Sequence, residues 1–252
     1  MGGYGLREGV TAARRGAYGI DAPYVPLGYA VAGVLAAALA LFNAARGDGG
    51  ALWWLIWSAG AFVCCGCYLY TTLRGKFVVW AEVLRGVGLR GDERLLDLGC
   101  GRGAVLLQAA QALPRGRAIG LDRWKRGDQS GNDPAATRQN AALEGVAARV
   151  TLQTADMRAL PFADGSFDLV VSSLAIHNIP DAAGRAAAIA EAARVLRPGG
   201  RVLIADIRAT REYAETLRRC GLDNVALRGL GWRFWYSGPW MATRLVTARK
   251  AG

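Results

Sequence analysis

Leu95-Leu96-Asp97-Leu98-Gly99-Cys100-Gly101-Arg102-Gly103 is the most informative segment of this 252-residue chain. A short apolar run leads into three glycines at alternate positions, and an alanine- and leucine-rich segment follows. This order predicts a buried strand, a glycine turn and a helix. Gly99 and Gly101 let the backbone pass close to a ligand, and Gly103 lets the helix begin near the strand.

Short apolar runs alternate with helical segments on the carboxyl side of this turn. Five strands are predicted at 94–98, 117–122, 149–153, 168–173 and 201–205. Helices are predicted at 104–113, 135–144, 182–196 and 211–219. The alternation predicts an α/β fold with a doubly wound, mostly parallel sheet. Two final strands, near 224–229 and 242–248, are joined by a short link, which predicts an antiparallel hairpin at one edge of a seven-stranded sheet.

Two acidic residues indicate what the glycine turn binds. Asp122 ends the second predicted strand, where its carboxylate can accept hydrogen bonds from ribose hydroxyls. A dinucleotide site has the wider G-x-G-x-x-G spacing and a pyrophosphate at the helix N-terminus. Asp97 would repel a pyrophosphate and attract an ammonium group, so the turn favours a zwitterionic amino-acid nucleoside.

Segment 97–103 resembles motif I of the class I S-adenosylmethionine-dependent methyltransferases. Further matching pieces follow in the family's order: Asp122, Ala155-Asp156-Met157, Asp168 to Ser173, and Arg194 to Gly200 before a strand. Together they are similar to the ubiquinone/menaquinone-methylase-like branch over residues 90–206. The resemblance implies a Rossmann-like methyltransferase fold and S-adenosylmethionine as cofactor.

The same resemblance assigns roles to individual residues. Asp97 and the backbone of Gly99, Gly101 and Gly103 would hold the methionine part of the cofactor. Asp122 would bind the ribose. Asp156 would contact the adenine amino group, with Met157 against the ring, and Ser173 would face the methyl group. Trp124 either covers the adenine face or packs elsewhere.

Candidates for catalysis and acceptor binding lie on loops beyond the strands. His177, the single histidine, follows the fourth strand and is either a general base or a positioning residue. Asp206 ends the fifth strand at the same edge and has a similar claim. The polar segment 128–132 either caps the site or only connects two elements. Trp235 and Tyr236, in an aromatic link, are candidates for the acceptor pocket, with core packing as the alternative.

Two apolar runs precede this domain. Residues 22–45 and 49–73 contain no charged residue, and the only charged residues between the two runs are Arg46 and Asp48. Each run exceeds the roughly 20 residues that cross a bilayer as a helix. We therefore expect a cytoplasmic tail at 1–21, a transmembrane hairpin at 22–74 and the catalytic domain at 75–252. Arginine and lysine are concentrated on both flanks, which predicts that both termini are cytoplasmic. A water-soluble helical hairpin packed on the domain is the alternative, although neither run shows a polar stripe.

Composition narrows the class of partner. The chain has 31 basic and 20 acidic residues, a formal net charge of +11, with the basic residues dispersed. Anionic lipid headgroups explain this charge better than nucleic acid, because residues 172–175 lack the Asp/Asn-Pro-Pro-aromatic loop of amino-group DNA methylases. One histidine and five cysteines without a ligand spacing predict no metal site.

The sequence thus predicts a membrane-anchored methyltransferase that uses a small lipophilic or lipid-derived acceptor. A quinone, an amine and a thiol all remain open as acceptors, as does the oligomeric state. The alternative from another class is a catalytically silent S-adenosylmethionine-binding scaffold at the membrane.

Overall fold

A computed structural model describes residues 14–125 and 127–252. Its first two helices, α1 (Tyr24–Ala45) and α2 (Ala51–Tyr70), form an antiparallel hairpin joined by a short turn. Small side chains on α1 allow the close approach, and Ser58 of α2 donates a hydrogen bond of 2.9 Å to the carbonyl oxygen of Gly33. Both helices are long and apolar enough to cross a membrane, by length and composition.

The helical backbone continues beyond the end of the second apolar run. A π-helical turn at Thr71–Gly75 carries α2 into α3 (Lys76–Val87), so helical backbone runs from residue 51 to residue 87. The predicted boundary between hairpin and domain, at residue 74 where charged residues resume, lies within this π-helical turn. A helix needs a breaking residue or a cap to stop, and a change in polarity supplies neither. One face of α3 is apolar and packs on the domain, since Phe77, Trp80, Val83 and Leu84 are all buried.

The remaining chain forms the expected seven-stranded sheet. Its strands are β1 (Arg94–Leu98), β2 (Arg117–Asp122), β3 (Val150–Thr154), β4 (Phe167–Ser173), β5 (Leu196–Asp206), β6 (Leu222–Gly229) and β7 (Arg244–Lys250). Their spatial order is β3-β2-β1-β4-β5-β7-β6. The first five are parallel, and β7 is antiparallel to both of its neighbours. The predicted terminal hairpin is confirmed, with its second strand inserted beside β5.

Helices cover both faces of this sheet. Four helices follow in the domain: α4 (Ala104–Gln111), α5 (Pro134–Leu143), α6 (Ala182–Val195) and α7 (Thr210–Arg219). Alternate strand residues belong to two separate cores. Leu95 packs on the side of α3 and α4, and Leu96 packs on the side of α6 and α7. Because β1, β2 and β4 are in parallel register, their carboxyl ends lie side by side at one edge.

The hairpin joins the domain at this carboxyl edge. Before α1 begins, residues 16–20 contact α5 and the segment that precedes it. Gly16 and Ala17 donate backbone hydrogen bonds to Glu144 and Asn140, and Ile20 donates one of 2.8 Å to the hydroxyl of Ser130. The base of the hairpin therefore faces the loops that follow the parallel strands.

Candidate active site

A cavity lies where β1, β2 and β4 end. The glycine turn, the loops after β2, β3 and β4, and the base of the hairpin all contribute to its wall. The side chains and backbone that line it belong to Asp21, Lys76, Asp97, Gly99, Cys100, Gly101, Ala104, Val105, Asp122, Arg123, Lys125, Asp128, Gln129, Asn132, Ala155, Asp156, Met157, Arg158, Ser173, Leu174, Ala175, Asn178, Ile179 and Pro180. Carboxyl-end crevices of this kind are where α/β sheets bind ligands.

The glycine turn needs its glycines for two separate reasons. Gly99 and Gly101 have φ angles of +76° and +50°, a region that side chains disfavour. A Cβ atom at Gly99 would overlap the side chain of Ala175. At Gly101, a Cβ atom would lie 2.5 Å from Oε1 of Gln129. The turn is thus packed closely against the loops that complete the cavity.

Asp97 is a buried carboxyl group at the wall of the cavity. It is 1% exposed, and its Oδ1 atom has no hydrogen-bond partner among the described residues. Burial, together with the carboxylate of Asp122, raises the pKa of Asp97 to about 8. An acid in this state gains from a cationic donor, since both the missing hydrogen bond and the missing countercharge would then be supplied. An ammonium group fits this requirement.

Asp122 organises the turn from the adjacent strand. Its Oδ2 atom accepts a 2.8 Å hydrogen bond from the backbone N–H of Gly101. Its Oδ1 atom accepts one of 2.6 Å from the N–H of Trp124. A carboxylate oxygen has two lone-pair directions, so each oxygen can also accept from a hydroxyl group of a ligand.

Asp156 and Met157 lie at the cavity wall beyond β3. Asp156 is paired with two arginines, at 2.6 Å from Nη2 of Arg158 and 3.2 Å from Nη1 of Arg123. Hydrogen bonds from Arg158 lower the pKa of Asp156 to about 2. The carboxylate is therefore ionised at neutral pH, and it already has cationic partners on the protein.

Ser173, at the end of β4, is held by the core. Its hydroxyl accepts a 2.9 Å hydrogen bond from Nε1 of Trp80, which is almost wholly buried in α3. The neighbouring Ser172 donates to the carbonyl oxygen of Leu98 at 2.8 Å. These bonds tie the floor of the cavity to α3, the helix that continues the hairpin.

His177 and Asp206 are brought together, as their positions after β4 and β5 suggest. Nδ1 of His177 lies 2.6 Å from Oδ1 of Asp206, and Asp206 is 1% exposed. The backbone N–H groups of His177 and Ile207 also donate to this carboxylate. The imidazole does not line the cavity, whereas the next residue, Asn178, does.

Sequence reasoning missed a polar cluster at the base of the hairpin. The Asp21 cluster consists of Asp21, Lys76, Thr72, Gln129 and Tyr236. Nζ of Lys76 lies 2.8 Å from both carboxylate oxygens of Asp21. Thr72 and Tyr236 donate hydroxyl hydrogen bonds of 2.9 and 2.8 Å to Asp21, and Nε2 of Gln129 donates one of 2.9 Å. Burial alone would raise the pKa of Asp21, but the Lys76 charge and these hydrogen bonds lower it.

The cluster connects the hairpin to the glycine turn. Asp21 precedes α1 and Lys76 follows the π turn, so the ion pair closes the hairpin, and both residues line the cavity. Gln129 continues the connection, because its Oε1 atom accepts a 2.9 Å hydrogen bond from the N–H of Arg102. The available signal was the single acid at the start of a long uncharged run, but its partners are distant in sequence.

The polar segment 128–132 borders the cavity. Asp128, Gln129 and Asn132 line it, and the segment pairs with the chain before α1 through an isolated bridge between Asp21 and Gln129. Burial raises the pKa of Asp128, against the opposing effect of Lys125. This segment thus does more than connect two elements, since it supplies part of the wall.

The aromatic residues take positions outside the cavity. Neither Trp235 nor Tyr236 is among the residues that line it. Tyr236 is buried behind Asp21, with its ring 4.9 Å from that of Tyr68, and the carbonyl oxygen of Trp235 accepts a hydrogen bond from Thr71. Trp124 is also outside the lining, and its indole N–H donates to Thr154.

Comparisons with known proteins agree with this geometry. Residues 96–204 match the methyltransferase domain family. The ubiquinone/menaquinone biosynthesis C-methyltransferase UbiE of Dinoroseobacter shibae is 37% identical over 134 residues, which are 52% of this chain and 49% of that protein. The 27-O-demethylrifamycin SV methyltransferase of Amycolatopsis mediterranei is 37% identical over 148 residues, 56% of this chain and 51% of that protein.

Solved structures match the fold. A S-adenosylmethionine-dependent methyltransferase from Methanosarcina mazei superposes with a TM-score of 0.53 at 18% identity, covering 67% of this chain and 97% of that one. The chain spans about half the length of the curated relatives it matches.

The cavity fits the cofactor that these relatives imply. An unpartnered buried acid suits the ammonium group, the glycine turn leaves room for close approach of a ligand, and the carboxylate of Asp122 lines the same cavity. Over residues 96–204 the chain is thus similar to S-adenosylmethionine-dependent methyltransferases, both in sequence and in fold.

Proposed function

We propose that this chain is a membrane-anchored enzyme that transfers a methyl group from S-adenosylmethionine to a small lipophilic or lipid-derived acceptor. One observation carries the proposal. Asp21 and Lys76, which flank the apolar hairpin, also line the cavity that contains the glycine turn. A molecule dissolved in the bilayer at the base of the hairpin would therefore be next to the cofactor.

The surface of the hairpin supports insertion into a bilayer. Large apolar side chains on both helices are exposed, among them Leu41 at 74% and Leu52 at 66%. Exposure of this apolar surface to water is unfavourable in free energy, whereas lipid tails would cover it. The excess of arginine and lysine on both flanks of the hairpin favours cytoplasmic termini, with the catalytic domain on the same side.

The relatives support a lipophilic acceptor. The first, by its name, is a C-methyltransferase of ubiquinone and menaquinone biosynthesis. The second, by its name, methylates a demethylrifamycin. A quinone-type acceptor is consistent with a cavity at the membrane side of the domain, and amines and thiols are further candidates for the same site.

The chain's own residues would mainly bind and align. Bound S-adenosylmethionine supplies an electrophilic methyl group on a sulfonium centre. Asp97 would hold the ammonium group through its free Oδ1 atom, and Asp122 would accept from the ribose hydroxyls. Asp156 and Met157 would lie against the adenine, and Ser173 near the methyl group. Alignment of this kind supplies much of the rate enhancement of an in-line displacement.

We assign His177 as the general base and Asp206 as the carboxylate that orients it. With Nδ1 only 2.6 Å from Oδ1 of Asp206, Nε2 is the atom left to accept a proton from the acceptor. Since His177 is not among the residues that line the cavity, a side-chain rotation or a bridging water is needed to connect the imidazole with it. An acceptor that reacts as an anion or thiolate requires less of this help.

Labelled-methyl transfer by the full chain in lipid nanodiscs tests the proposal. The acceptors are a panel of quinols, amines, phospholipids and thiols, and products are identified by mass spectrometry. We expect a methylated product from at least one lipophilic acceptor. Cofactor binding without product from any of them would favour the silent scaffold instead. A chain that is released from membranes by alkaline carbonate would refute the anchoring.

A further inference from the structure

Two tryptophans are exposed at the carboxyl edge of the sheet. Trp232 and Trp240 lie in the link between β6 and β7 and are 62% and 69% exposed. Trp232 stacks on Tyr70, the last residue of α2, with ring centroids 5.4 Å apart and planes 17° apart. Large exposed indoles at the end of an apolar helix need an amphipathic environment, because each has an apolar ring and one N–H donor.

Three arginines surround a concave surface beside Trp240. Arg208, Arg211 and Arg244 line it together, and all three are exposed. None of them has an ion pair or a side-chain hydrogen bond within residues 14–125 and 127–252. Glu212 also lines this concavity, but its carboxylate is paired with Arg185 at 2.9 Å. The concavity therefore has an excess of positive charge.

The opposite edge of the sheet is different. There, Arg90 and Arg197 both pair with Asp168. These two arginines therefore have a partner on the protein. Arg208, Arg211 and Arg244 have no such partner among the described residues, so their charge is available to an external anion.

This concavity adjoins the base of the hairpin. The carbonyl oxygen of Trp235 accepts a 2.7 Å hydrogen bond from Thr71, which directly follows α2. Trp235 also forms an isolated bridge with Ala242, two residues before Arg244. The arginines consequently lie on the same side of the domain as the end of the second apolar helix.

We propose that Trp232, Trp240, Arg208, Arg211 and Arg244 form a basic–aromatic face that rests on anionic lipid headgroups and fixes the cavity against the bilayer. This inference deepens the proposed function and rests on the membrane anchoring. Guanidinium groups bind phosphate oxygens in a bidentate manner, and indoles lie at the headgroup level, so the two residue types suit one surface. The hairpin alone attaches the chain, and the basic–aromatic face sets the orientation of the domain.

Hydrogen exchange of the full chain in nanodiscs tests the inference. One set of discs contains phosphatidylcholine alone and the other contains 30% phosphatidylglycerol (roughly the anionic content that gives a strong surface potential). We expect peptides covering 207–212 and 230–243 to exchange about tenfold more slowly in the anionic discs, and this protection to be lost at about 1 M salt. Peptides of the opposite edge should not respond.

Two variants make the test specific. Simultaneous change of Arg208, Arg211 and Arg244 to Gln should abolish the effect of phosphatidylglycerol. The matched control changes the same number of charges elsewhere, at Arg138, Arg149 and Arg218, and should retain it. Both variants should bind S-adenosylmethionine like the wild type, which shows that they are folded.

The outcomes distinguish failure of this inference from failure of the proposed membrane anchoring. Equal exchange in neutral and anionic discs, with the chain incorporated, would overturn the basic–aromatic face and leave the anchoring intact. Loss of protection in the control variant as well would also overturn it, because net charge alone would then explain the effect. A chain that does not co-elute with the discs would refute the anchoring itself, and this inference with it.

Discussion

If Asp97 holds the ammonium group of the cofactor, as proposed, cofactor binding should depend on pH. The pKa of Asp97 is raised to about 8, so only about a tenth of the carboxyl is ionised at pH 7 and about a hundredth at pH 6. The ammonium group of the cofactor, an α-amino group with a pKa of about 8, is mostly protonated at both values. The population of the carboxylate–ammonium pair therefore falls about eightfold from pH 7 to pH 6. Above pH 8 the ammonium group loses its proton, so binding should be strongest near pH 8.

The Asp97→Asn variant tests this directly. A hydrogen bond to a charged group contributes about 1.5–3 kcal/mol, so the dissociation constant of the variant at pH 8 should rise about 10- to 100-fold. The amide does not titrate, so its dissociation constant should be flat between pH 6 and pH 7. Isothermal titration calorimetry on the full chain in nanodiscs, from pH 6 to pH 9 at fixed ionic strength, measures both effects.

Asp156→Asn is the matched control. Arg158 holds the pKa of Asp156 at about 2, so this carboxylate is ionised over the whole range and its loss should change the dissociation constant by a constant factor.

A second readout excludes misfolding. A raised pKa means that ionising Asp97 destabilises the ligand-free fold as the pH rises from about 4 to about 8. Asp97→Asn should therefore raise the unfolding temperature at pH 8. A wild-type dissociation constant that does not change between pH 6 and pH 7 would refute the reasoning.

Three further substitutions examine other parts of the site. His177→Gln should lower kcat about 100-fold and leave the dissociation constant of S-adenosylmethionine unchanged. An unaltered kcat across the pH profile would show that His177 is not the general base. Gly101→Ala should weaken cofactor binding at least tenfold in calorimetry, because its Cβ atom would lie 2.5 Å from Oε1 of Gln129. Wild-type affinity would show that the loop containing Gln129 moves to accommodate the added methyl group. Tyr236→Phe removes a 2.8 Å hydrogen bond to the partly buried Asp21 and should cost about 1–3 kcal/mol in urea unfolding. A cost near zero would mean that the remaining donors suffice.

Local patterns predicted the sheet well. Strands such as β1 and β4 are continuous apolar runs that end in turns, and the glycine turn follows directly from its own residues. The terminal antiparallel pair was also predicted, because a short link restricts how two strands can pair. The π-helical turn was not predicted, because polarity changes at Arg74 while the helical backbone continues to Val87.

In the candidate site, too, local patterns identify some residues and miss contacts between residues that are distant in sequence. Residues at the carboxyl ends of strands, such as Asp97 and Asp122, reach the cavity because parallel strands all end at one edge. The Asp21 cluster depends on contacts between residues 21, 129 and 236, and no local pattern encodes contacts over such sequence separations. Tyr236 was singled out for its aromatic ring, but the structure uses its hydroxyl group, on a carboxylate that itself lines the cavity.

In the proposed membrane orientation, the continuous helical backbone from residue 51 to residue 87 would hold the reaction centre at a fixed height above the lipid tails. Lys76 follows Tyr70 by six positions, which is about 9 Å of helical rise. In the proposed orientation, an acceptor must raise its reacting atom by that distance while its tail stays in the hydrocarbon. Each methylene drawn out with it costs about 0.8 kcal/mol. The enzyme would thus select lipids in which the distance between the tail and the reacting atom matches this helical rise.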